Sequence, residues 1–437
     1  MVYHFIGIKG TGMGALALVM HDLGYNVQGS DKIDHFFTED ILREKGVQIL
    51  PFDENNIKEG MTIVQGNAFT DDNIEVKKAK ELGLEIYSYQ DMVGFFTKQF
   101  NTITVAGCHG KTTTSAMLSH VLDHTIGTNY LIGDGTGHSD KANKHLVVEA
   151  CEWKRHFLSY TPTYAIITNI ELDHIDYYKD ITDMVSAYEE YANKALKMVV
   201  ACGDDPYTDK IHYEKPVVFY GLSEKNDVVA KNIKYHNDGT DFDVYIKGKL
   251  FGSFELPLFG EHMLLNSLAV ITICYYEGID KKDIDKHLRT FKGAKRRFKE
   301  TVLDDIVVID DYAHHPTEVS VTIKGARQKY PDKKIVAILM IHTYSRARKF
   351  EQEFADALNL ADKSYVTDVY MDRKEDCEPY DINNLISKLN NGEHISLDEI
   401  DKLLEYENSV LIFMSSKEIY VLEDLYEKKL KEIREEN

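Results

Sequence analysis

The chain lacks the features that mark membrane and secreted proteins. No apolar run approaches the roughly 18 residues of a membrane span, and Met1-Val-Tyr-His-Phe-Ile-Gly7 has neither the basic nor the long apolar segment of a signal peptide. The five cysteines, at positions 108, 151, 202, 274 and 377, are odd in number and show no metal-ligand spacing, which argues against a disulfide framework. We therefore expect a cytoplasmic protein without membrane insertion.

Positive charge is also scarce. The 51 Lys and Arg residues are outnumbered by 72 Asp and Glu residues, and the formal net charge is −21. Because nucleic-acid binding needs a basic footprint, we expect no nucleic-acid partner. An anionic ligand must instead be met by local cations, helix N-termini and metal ions. The 437 residues are enough for about three domains.

One segment has the layout of a phosphate-binding loop. The apolar run Thr102–Val105 leads into Gly107-Cys-His-Gly-Lys-Thr112, and a helical pattern follows. Glycines let backbone N–H groups face an oxyanion, and the helix N-terminus adds positive potential. Lys111 would reach the outer phosphates of a nucleoside triphosphate, and the Thr112 hydroxyl would bind Mg²⁺. Val105 stands where the full pattern has a glycine, so a turn with an incidental lysine is the alternative.

The first hundred residues alternate between strand-like and helix-like patterns. Apolar strands at residues 2–8, 25–29 and 61–64 predict a parallel, doubly wound sheet, whose ligand would lie beyond the carboxyl ends of the strands. Those ends carry Gly10 and Gly12, Ser30-Asp31, and Asn67.

The glycine pattern of this segment is G-x-x-G-x-G. Lys9 occupies the position at which a dinucleotide fingerprint has its second glycine, but Asp31 lies about 20 residues further on, where a ribose-binding acid is expected. A nicotinamide-dependent dehydrogenase is therefore the runner-up interpretation.

Two further α/β segments follow. Strands are predicted at 145–148, 164–168 and 198–202, and residues 216–258 alternate like antiparallel strands with a turn at Asp238-Gly239. From residue 298 onward, strands at 305–309, 334–339, 364–367 and 409–413 alternate with helices.

Polar residues follow several of these strands. Glu149 and Thr112 could hold one Mg²⁺, and His174 a second, unless Glu149 caps a loop and Asp173-His174 is a surface turn. The basic cluster Lys292, Lys295, Arg296 and Arg297 suits phosphate recognition, and a solvated basic turn is the alternative.

Two more groups of side chains suggest a site in the C-terminal third. His262 and Asn266 share a helix face, for packing or adenine contact. Asp310-Asp-Tyr-Ala-His-His315 ends a buried-looking strand, where such groups need partners. Arg346 follows the next strand along the chain, so we expect it beside that cluster, where it could clamp a carboxylate.

In this order, the segments resemble the Mur ligase family, and most closely its alanine-adding members. The resemblance rests on His4–Met13, Gly29–Asp31, Gly107–Thr112, Glu149–Glu152, Thr168–His174, Phe259–Asn266, Lys295–Phe298 and Asp310–Pro316.

The resemblance implies an α/β protein of three domains. These are a Rossmann-like UDP-sugar-binding domain (residues 1–98), a central P-loop ATPase-type domain (99–297) and a C-terminal Rossmann-like ligase domain (298–437). The implied reaction joins L-alanine to the lactyl carboxylate of UDP-N-acetylmuramate through an acyl phosphate, a step of peptidoglycan precursor synthesis. It consumes ATP and uses Mg²⁺, with two ions expected and Mn²⁺ able to substitute. A monomer or weak homodimer is expected.

The family's site residues carry over position by position. Lys111, His174, His314 and Arg346 are implied in catalysis. UDP-sugar contact is implied for Gly10, Thr11, Gly12, Met13, Ser30, Asp31 and Asn67. ATP contact is implied for Gly107, Cys108, His109, Gly110, Lys111, Thr112, Thr113, His262, Asn266, Arg297 and Asp311. The metal ligands would be Thr112, Glu149 and His174, and the amino acid would lie near Tyr312, His314 and Arg346.

Three departures from the family pattern keep other functions open. Met340-Ile341 replaces the usual Gln-Pro before His342, and Ser415-Ser-Lys-Glu418 replaces a Gly-Ala-Gly-Asp loop. No lysine lies between Lys179 and Lys194, so we do not expect the carbamylated lysine of some relatives. The alternatives are a related ligase that adds another amino acid or a peptide, and a nucleotide-binding regulator without ligase activity.

Overall fold

The structure is a computed structural model that describes residues 1–36, 38–175, 177–371 and 378–435. The chain separates into two compact units. Unit 1 contains Met1–Lys231, Asp243–Phe254 and Leu265–Phe291, and unit 2 contains Asn232–Phe242, Glu255–Leu264 and Lys292–Asn437. The expected domain boundaries near residues 98 and 297 stay predictions.

The first sheet is entirely parallel and has the strand order β3-β2-β1-β4-β5. Strands β2 and β3 lie on one side of β1, and the chain then crosses to β4 on the other side. This reversal creates a switch point between the carboxyl ends of β1 and β4. The elements are β1 (Val2–Ile6), α1 (Thr11–Asp22), β2 (Asn26–Asp31), α2 (Glu39–Glu44), β3 (Gln48–Pro51), β4 (Met61–Gln65), α3 (Ile74–Glu81), β5 (Ile86–Ser88) and α4 (Tyr89–Thr97).

The second sheet has ten strands in the order β15-β14-β13-β12-β11-β10-β6-β9-β7-β8. Its elements are β6 (Asn101–Ala106), α5 (Lys111–Asp123), β7 (Thr128–Leu131), β8 (Gly137–His138), β9 (His145–Glu149), β10 (Tyr164–Ile167), α6 (Ile181–Ala192), β11 (Met198–Cys202), β12 (Val217–Gly221), β13 (Val228–His236), β14 (Gly239–Ile246), β15 (Lys249–Leu256), α7 (Glu261–Tyr276) and α8 (Lys281–Leu288). Because β6 pairs in parallel with both β9 and β10, the loops after these three strands meet at one edge of the sheet.

One expectation for this sheet is wrong in part. Residues 217–221 do not begin an antiparallel segment, since β12 pairs in parallel with β11, and β13 pairs in parallel with β12. Alternation of apolar and polar residues reports which face of a strand is buried, not the direction of its neighbour.

The third sheet has the order β16-β17-β21-β18-β19-β20, with β16 antiparallel to β17 and the other pairs parallel. Its elements are β16 (Lys299–Leu303), β17 (Ile306–Asp311), α9 (Pro316–Lys329), β18 (Lys334–Leu339), α10 (Tyr344–Lys349), α11 (Glu351–Leu358), β19 (Lys363–Val366), α12 (Asn383–Ile386), β20 (Gly392–His394), β21 (Ser409–Met414) and α13 (Tyr420–Glu435). The last strand of the chain therefore lies at the centre, between β17 and β18.

Two expectations concern the whole chain: the cysteines form no disulfide framework, and the protein does not insert into a membrane. Cys108, Cys151, Cys202 and Cys274 are free thiols, and Cys377 lies outside the described residues. A search of the described helices finds none with the length and apolar character needed to cross a bilayer.

The central strands of the third sheet should carry much of the stability of unit 2. Val308 on β17 is fully buried, whereas Val302 on the neighbouring edge strand is 64% exposed. We expect Val308→Ala to lower the stability of this sheet by about 1–3 kcal/mol, because two buried methyl groups are lost and a cavity remains. The matched Val302→Ala variant should change it little. Hydrogen exchange of β16–β21 amides, read by mass spectrometry, measures both, and equal effects would contradict the assigned burial.

Candidate active site

A cavity of about 500 Å³ opens at the switch point of the first sheet. It is lined by Gly7, Lys9, Gly10, Thr11, Gly12, Met13, Asp31, Lys32, Phe36, Gly66, Asn67, Ala68, Phe69 and Tyr89. Six of the seven residues expected to contact a UDP-sugar are therefore brought together at one cavity. The seventh, Ser30, is fully buried and its hydroxyl donates to the carboxylate of Glu75, so its contact with a ligand stays a prediction.

Sequence reasoning missed the aromatic part of this cavity. Phe36, Phe69 and Tyr89 give it flat apolar surfaces of the kind that stack on a nucleobase. Phe69 follows β4 by four residues, within the same polar loop as Asn67. An aromatic residue so close to the carboxyl end of a strand could have been recognised in the sequence as part of the ligand cavity.

The geometry around Lys9 argues against a dinucleotide site. Both carboxylate oxygens of Asp31 accept backbone N–H groups, from Lys9 at 2.7 Å and from Lys32 at 2.8 Å. The Lys9 ammonium donates to the carbonyls of Lys32 and Asp34, and it pairs with Glu39 at 2.5 Å. Asp31 thus ties the loop after β1 to the loop after β2, and the Lys9 side chain fills the position at which a dinucleotide fingerprint has glycine.

The predicted phosphate loop joins β6 to α5 and is held against the segment after β10. The N–H groups of Cys108 and His109 donate to the backbone and side-chain oxygens of Asn169, at 3.2 and 2.9 Å. The side chains of Thr168 and Asn169 in turn donate to the His109 carbonyl, at 2.6 and 2.9 Å. The loop shape is therefore fixed by the protein itself.

Two glycines are required by this path. Gly107 has φ +142°, and a Cβ there would lie 1.9 Å from Oγ1 of Thr168. Gly110 has φ +81° as the residue that precedes α5, and a Cβ there would lie 2.7 Å from Oδ1 of Asn266. Asn266 therefore packs against the loop, as expected of an ATP-contacting residue. Its Nδ2 is buried and has no hydrogen-bond partner among the described residues.

The Lys111 ammonium lies at the base of this loop. It donates to the carbonyls of Gly107 and Cys108, at 2.6 and 3.1 Å, and to Oε1 of Glu152 at 3.0 Å. Burial alone would lower the pKa of Lys111, but the neighbouring acidic groups, Glu152 first among them, together raise it. Lys111 is therefore a fixed cation.

Glu152 is a residue that the site prediction left out, although its motif was noted. It is 1% exposed and also lies 3.3 Å from Nε2 of His174. Burial would raise the pKa of Glu152, but Lys111 and His174 lower it below its usual range. The structure thus joins Lys111 and His174 through one buried carboxylate.

The oxygens of Thr112 and Glu149 fit a hard cation. The Thr112 hydroxyl donates to Oε1 of Glu149 at 3.1 Å, and the Gly133 N–H binds the other carboxylate oxygen at 2.8 Å. Mg²⁺ prefers oxygen ligands and often takes only one or two from the protein. These two side chains could hold such an ion, and the second ion near His174 stays a prediction.

The cavity and the phosphate loop adjoin each other within unit 1. Tyr89 lines the cavity and packs on Gly12, where a Cβ would lie 3.0 Å from its ring. Burial raises the pKa of the Tyr89 hydroxyl, and the nearby Glu149 carboxylate raises it further. Direct packing links the two places: a Cβ at Gly135 would lie 3.0 Å from Cγ2 of the cavity residue Thr11, and one at Gly133 would lie 2.5 Å from the Glu149 carboxylate. The cavity and the predicted metal site therefore both pack on residues 133–135.

The other residues of the predicted loop have protein partners. The Cys108 thiol donates to the Glu171 carbonyl at 2.8 Å, and burial raises its pKa, so it is a neutral thiol rather than a nucleophile. Nε2 of His109 lies 3.0 Å from the Glu171 carboxylate, and Thr113 is buried in the first turn of α5.

Unit 2 contains a second group of predicted ATP-contacting residues. Burial lowers the pKa of His262 to about 4, with the nearby Arg297 acting in the same direction. Burial raises the pKa of Asp311 to about 6, although Arg297 and two backbone N–H groups oppose that shift. Arg297 thus acts electrostatically on both residues, and the contact of all three with ATP stays a prediction.

Tyr312 and His314 lie together beside this group. The guanidinium groups of Arg296 and Arg297 lie 5.4 and 5.1 Å from the Tyr312 ring centre, and the His314 ring packs edge-on at 5.5 Å. Nδ1 of His314 lies 3.0 Å from the carboxylate of Glu318, which also binds Arg297. The pair predicted for the amino acid is therefore held in one network.

The strand argument that placed Arg346 beside the Asp310–His315 cluster needs correction. β18, which precedes it, is not the neighbour of β17, because β21 pairs with both. Chain order did not reveal that the last strand would insert at the centre. The segments that follow β17 and β18 still approach each other. The ring of His315 lies 4.8 Å from that of Phe350, the residue directly after the helix that contains Arg346. Contact of Arg346 with a substrate stays a prediction.

Both C-terminal departures lie at this sheet edge. The Met340 N–H donates to the Met414 carbonyl at 3.1 Å, and the Ser415 N–H donates to the Asp311 carbonyl at 3.1 Å. Arg296 binds both the Asp310 carboxylate and the Ser415 carbonyl.

Three family models match the chain in order. They are described as Mur ligase family, catalytic domain (residues 2–101), Mur ligase middle domain (105–274), and Mur ligase, glutamate ligase domain (296–416). Among solved structures, UDP-N-acetylmuramate-alanine ligase MurC from Thermotoga maritima is 29% identical, covers 99% of both chains and has a TM-score of 0.81.

Two more distant structures share the fold. A murein peptide ligase from Psychrobacter arcticus is 23% identical over 98% of both chains, with a TM-score of 0.68. MurF ligase from Thermotoga maritima, solved with ADP, is 18% identical over 96% of this chain and 99% of its own, with a TM-score of 0.63.

The buried position of Glu152 predicts a large stability effect. We expect Glu152→Gln to lower the stability of unit 1 by about 3–5 kcal/mol, because it leaves the Lys111 ammonium, whose side chain is only 14% exposed, without a counter-charge. The double variant Lys111→Met with Glu152→Gln should be more stable than Glu152→Gln alone. Thermal unfolding followed by Trp153 fluorescence measures both.

The loss of stability in the Glu152→Gln variant should also depend on pH. Since the folded-state pKa of Glu152 is lowered, its contribution is present above its ordinary pKa and lost as the pH falls below it. The difference between wild type and Glu152→Gln should therefore shrink near pH 3. A Glu152→Gln variant as stable as wild type at pH 7 would contradict the ion pair.

Proposed function

The chain belongs to the Mur ligase family, with its three-domain α/β architecture and its ATP-dependent amide-bond-forming activity, and we propose that it joins L-alanine to UDP-N-acetylmuramate. The observation that supports this acceptor is that Thr11, which lines the nucleotide-sized cavity, and Glu149, beside the phosphate loop, both pack on residues 133–135. A carboxylate carried by a bound UDP-sugar would thus enter the region where a γ-phosphate is activated.

The proposed first step forms a bond between the lactyl carboxylate oxygen and the γ-phosphorus of ATP, and ADP leaves. Both reactants are anions, so their approach requires positive charge at fixed positions. Lys111 supplies one such charge, and backbone N–H groups at the start of α5 supply partial charges. Mg²⁺ held by Thr112 and Glu149 would supply further neutralisation of the phosphate oxygens.

The proposed second step forms the amide. The amine nitrogen of L-alanine attacks the acyl carbon, phosphate leaves with the former carboxylate oxygen, and the nitrogen loses a proton. We assign Tyr312, His314 and Arg346 to the incoming amino acid and His262, Asn266, Arg297 and Asp311 to the nucleotide. The use of ATP and the free thiols support a cytoplasmic location.

A second candidate is a related ligase that adds another amino acid or a peptide to the same acceptor. It is favoured by the side chains that differ from the family pattern at the ends of β18 and β21, Met340-Ile341 and Ser415–Glu418.

We expect phosphate release from ATP to require both UDP-N-acetylmuramate and L-alanine. A panel of amino acids and short peptides in the same assay separates the two candidates. Release that ignores the sugar nucleotide would refute the acceptor. Tight binding of ATP and UDP-sugar without product from any amine would instead indicate a regulator.

The role of Lys111 can be tested by replacing it with alanine and comparing the effect with the same replacement of an exposed lysine. Lys111→Ala should reduce turnover by at least about a hundredfold, because a fixed charge at the transferring phosphate is lost. Because Glu152 then lacks its partner, the variant is compared at a temperature at which thermal unfolding shows it to be folded. UDP-sugar binding, measured there by calorimetry, should persist because the cavity is lined by other residues. Lys77→Ala, at an exposed position of α3, is the control and should retain wild-type turnover. Retained activity in Lys111→Ala would overturn the assignment.

A further inference from the structure

Three histidines form a cluster in unit 1 that the proposed reaction does not use. His120 lies in the last turn of α5, His124 follows that helix, and His287 lies in α8. One ring nitrogen of each lies within 4.8 Å of those of the other two. The ring centres of His120 and His124 are 4.5 Å apart, and those of His124 and His287 are 5.0 Å apart.

Hydrogen bonds orient two of the rings, and for His124 they leave a nitrogen lone pair available. Nδ1 of His124 lies 2.8 Å from the His120 carbonyl, which can only accept, so Nδ1 carries the proton and Nε2 keeps its lone pair. Nε2 of His120 lies 2.9 Å from the Thr290 hydroxyl, which fixes that ring as well. Metal-binding imidazoles in proteins are oriented by such bonds to their second nitrogen.

The surroundings favour neutral imidazole, which is the ligand form of histidine. Burial lowers the pKa of both His120 and His287, and the neighbouring rings lower them further. The charged groups nearby are the carboxylates of Asp123 and Asp283 and the Lys286 ammonium. Phe291 packs on the His120 ring at 5.8 Å, while His124 is exposed and leaves one side open to water.

We propose that His120, His124 and His287 bind a divalent transition-metal ion of the Zn²⁺ type. Three imidazole nitrogens suit Zn²⁺, whereas Mg²⁺ prefers oxygen, so this site would be selective against the ion used with ATP. His120 and His124 are four residues apart on one helix face, and the third ligand comes from the helix packed beside it. A bound ion would cross-link α8 to the C-terminal end of α5. The proposal does not depend on the reaction proposed above.

Metal binding can be measured on the full-length protein after chelator treatment. Zn²⁺ is titrated by calorimetry in excess Mg²⁺, and Co²⁺ is used as a spectroscopic substitute. We expect one Zn²⁺ site, an affinity at least about tenfold lower in His124→Gln and in His287→Gln, and a Co²⁺ absorption spectrum that both variants lose. His212→Gln, at an exposed position of unit 1, is the control and should bind as wild type does.

Zn²⁺ affinity that is equal in wild type and in both variants, or no binding by the folded wild type, would overturn the proposal and leave three packed neutral rings. Thermal unfolding without metal shows whether each variant is folded. His124→Gln changes an exposed residue. Its Zn²⁺ affinity can therefore still be compared with that of wild type if the variant at the buried His287 does not fold.

Discussion

The buried ion pair between Lys111 and Glu152 is the interaction on which the candidate active site depends. An ammonium at this depth is too costly without a counter-charge, and the loop carbonyls alone supply only partial charges. Glu152 completes the compensation, and it also binds His174, so the loop after β6 and the segment after β10 share one electrostatic centre. In a chain with a net charge of −21, a polyanion must be met by local positive groups, and this pair fixes the position of one of them, beside the N–H groups at the start of α5.

The topology explains why these groups meet. The parallel neighbours β9, β6 and β10 end at the same sheet edge and deliver Glu149, the phosphate loop and Thr168-Asn169 to one place. Gly107 can take its positive φ and approach Thr168 because it has no side chain. The loop is therefore set by hydrogen bonds within the protein, and little ordering is left for the nucleotide to impose.

Much of this could be predicted from sequence because it is local. The strand 334–339 and the strand 198–202 were predicted with the bounds that the structure has, and the phosphate loop follows a local pattern. What could not be predicted depends on strand order and on distant partners. Parallel pairing of β12 and insertion of β21 between β17 and β18 leave no mark in local periodicity. The partner role of Glu152 requires Lys111 and His174, which are distant in the chain.

At the carboxyl ends of β18 and β21, residues that differ from the family pattern are held in place by hydrogen bonds of their backbone. Ser415 is held by its own N–H and carbonyl, which bond to Asp311 and Arg296, and Met340 is held by its N–H to Met414. These bonds do not require particular side chains at positions 340 and 415. The Lys417 N–H also binds the Ser415 hydroxyl, so the loop turns without glycine. Backbone bonds therefore fix much of the path of this loop, whereas the side chains at positions 340, 341 and 415–418 set the chemistry that it presents.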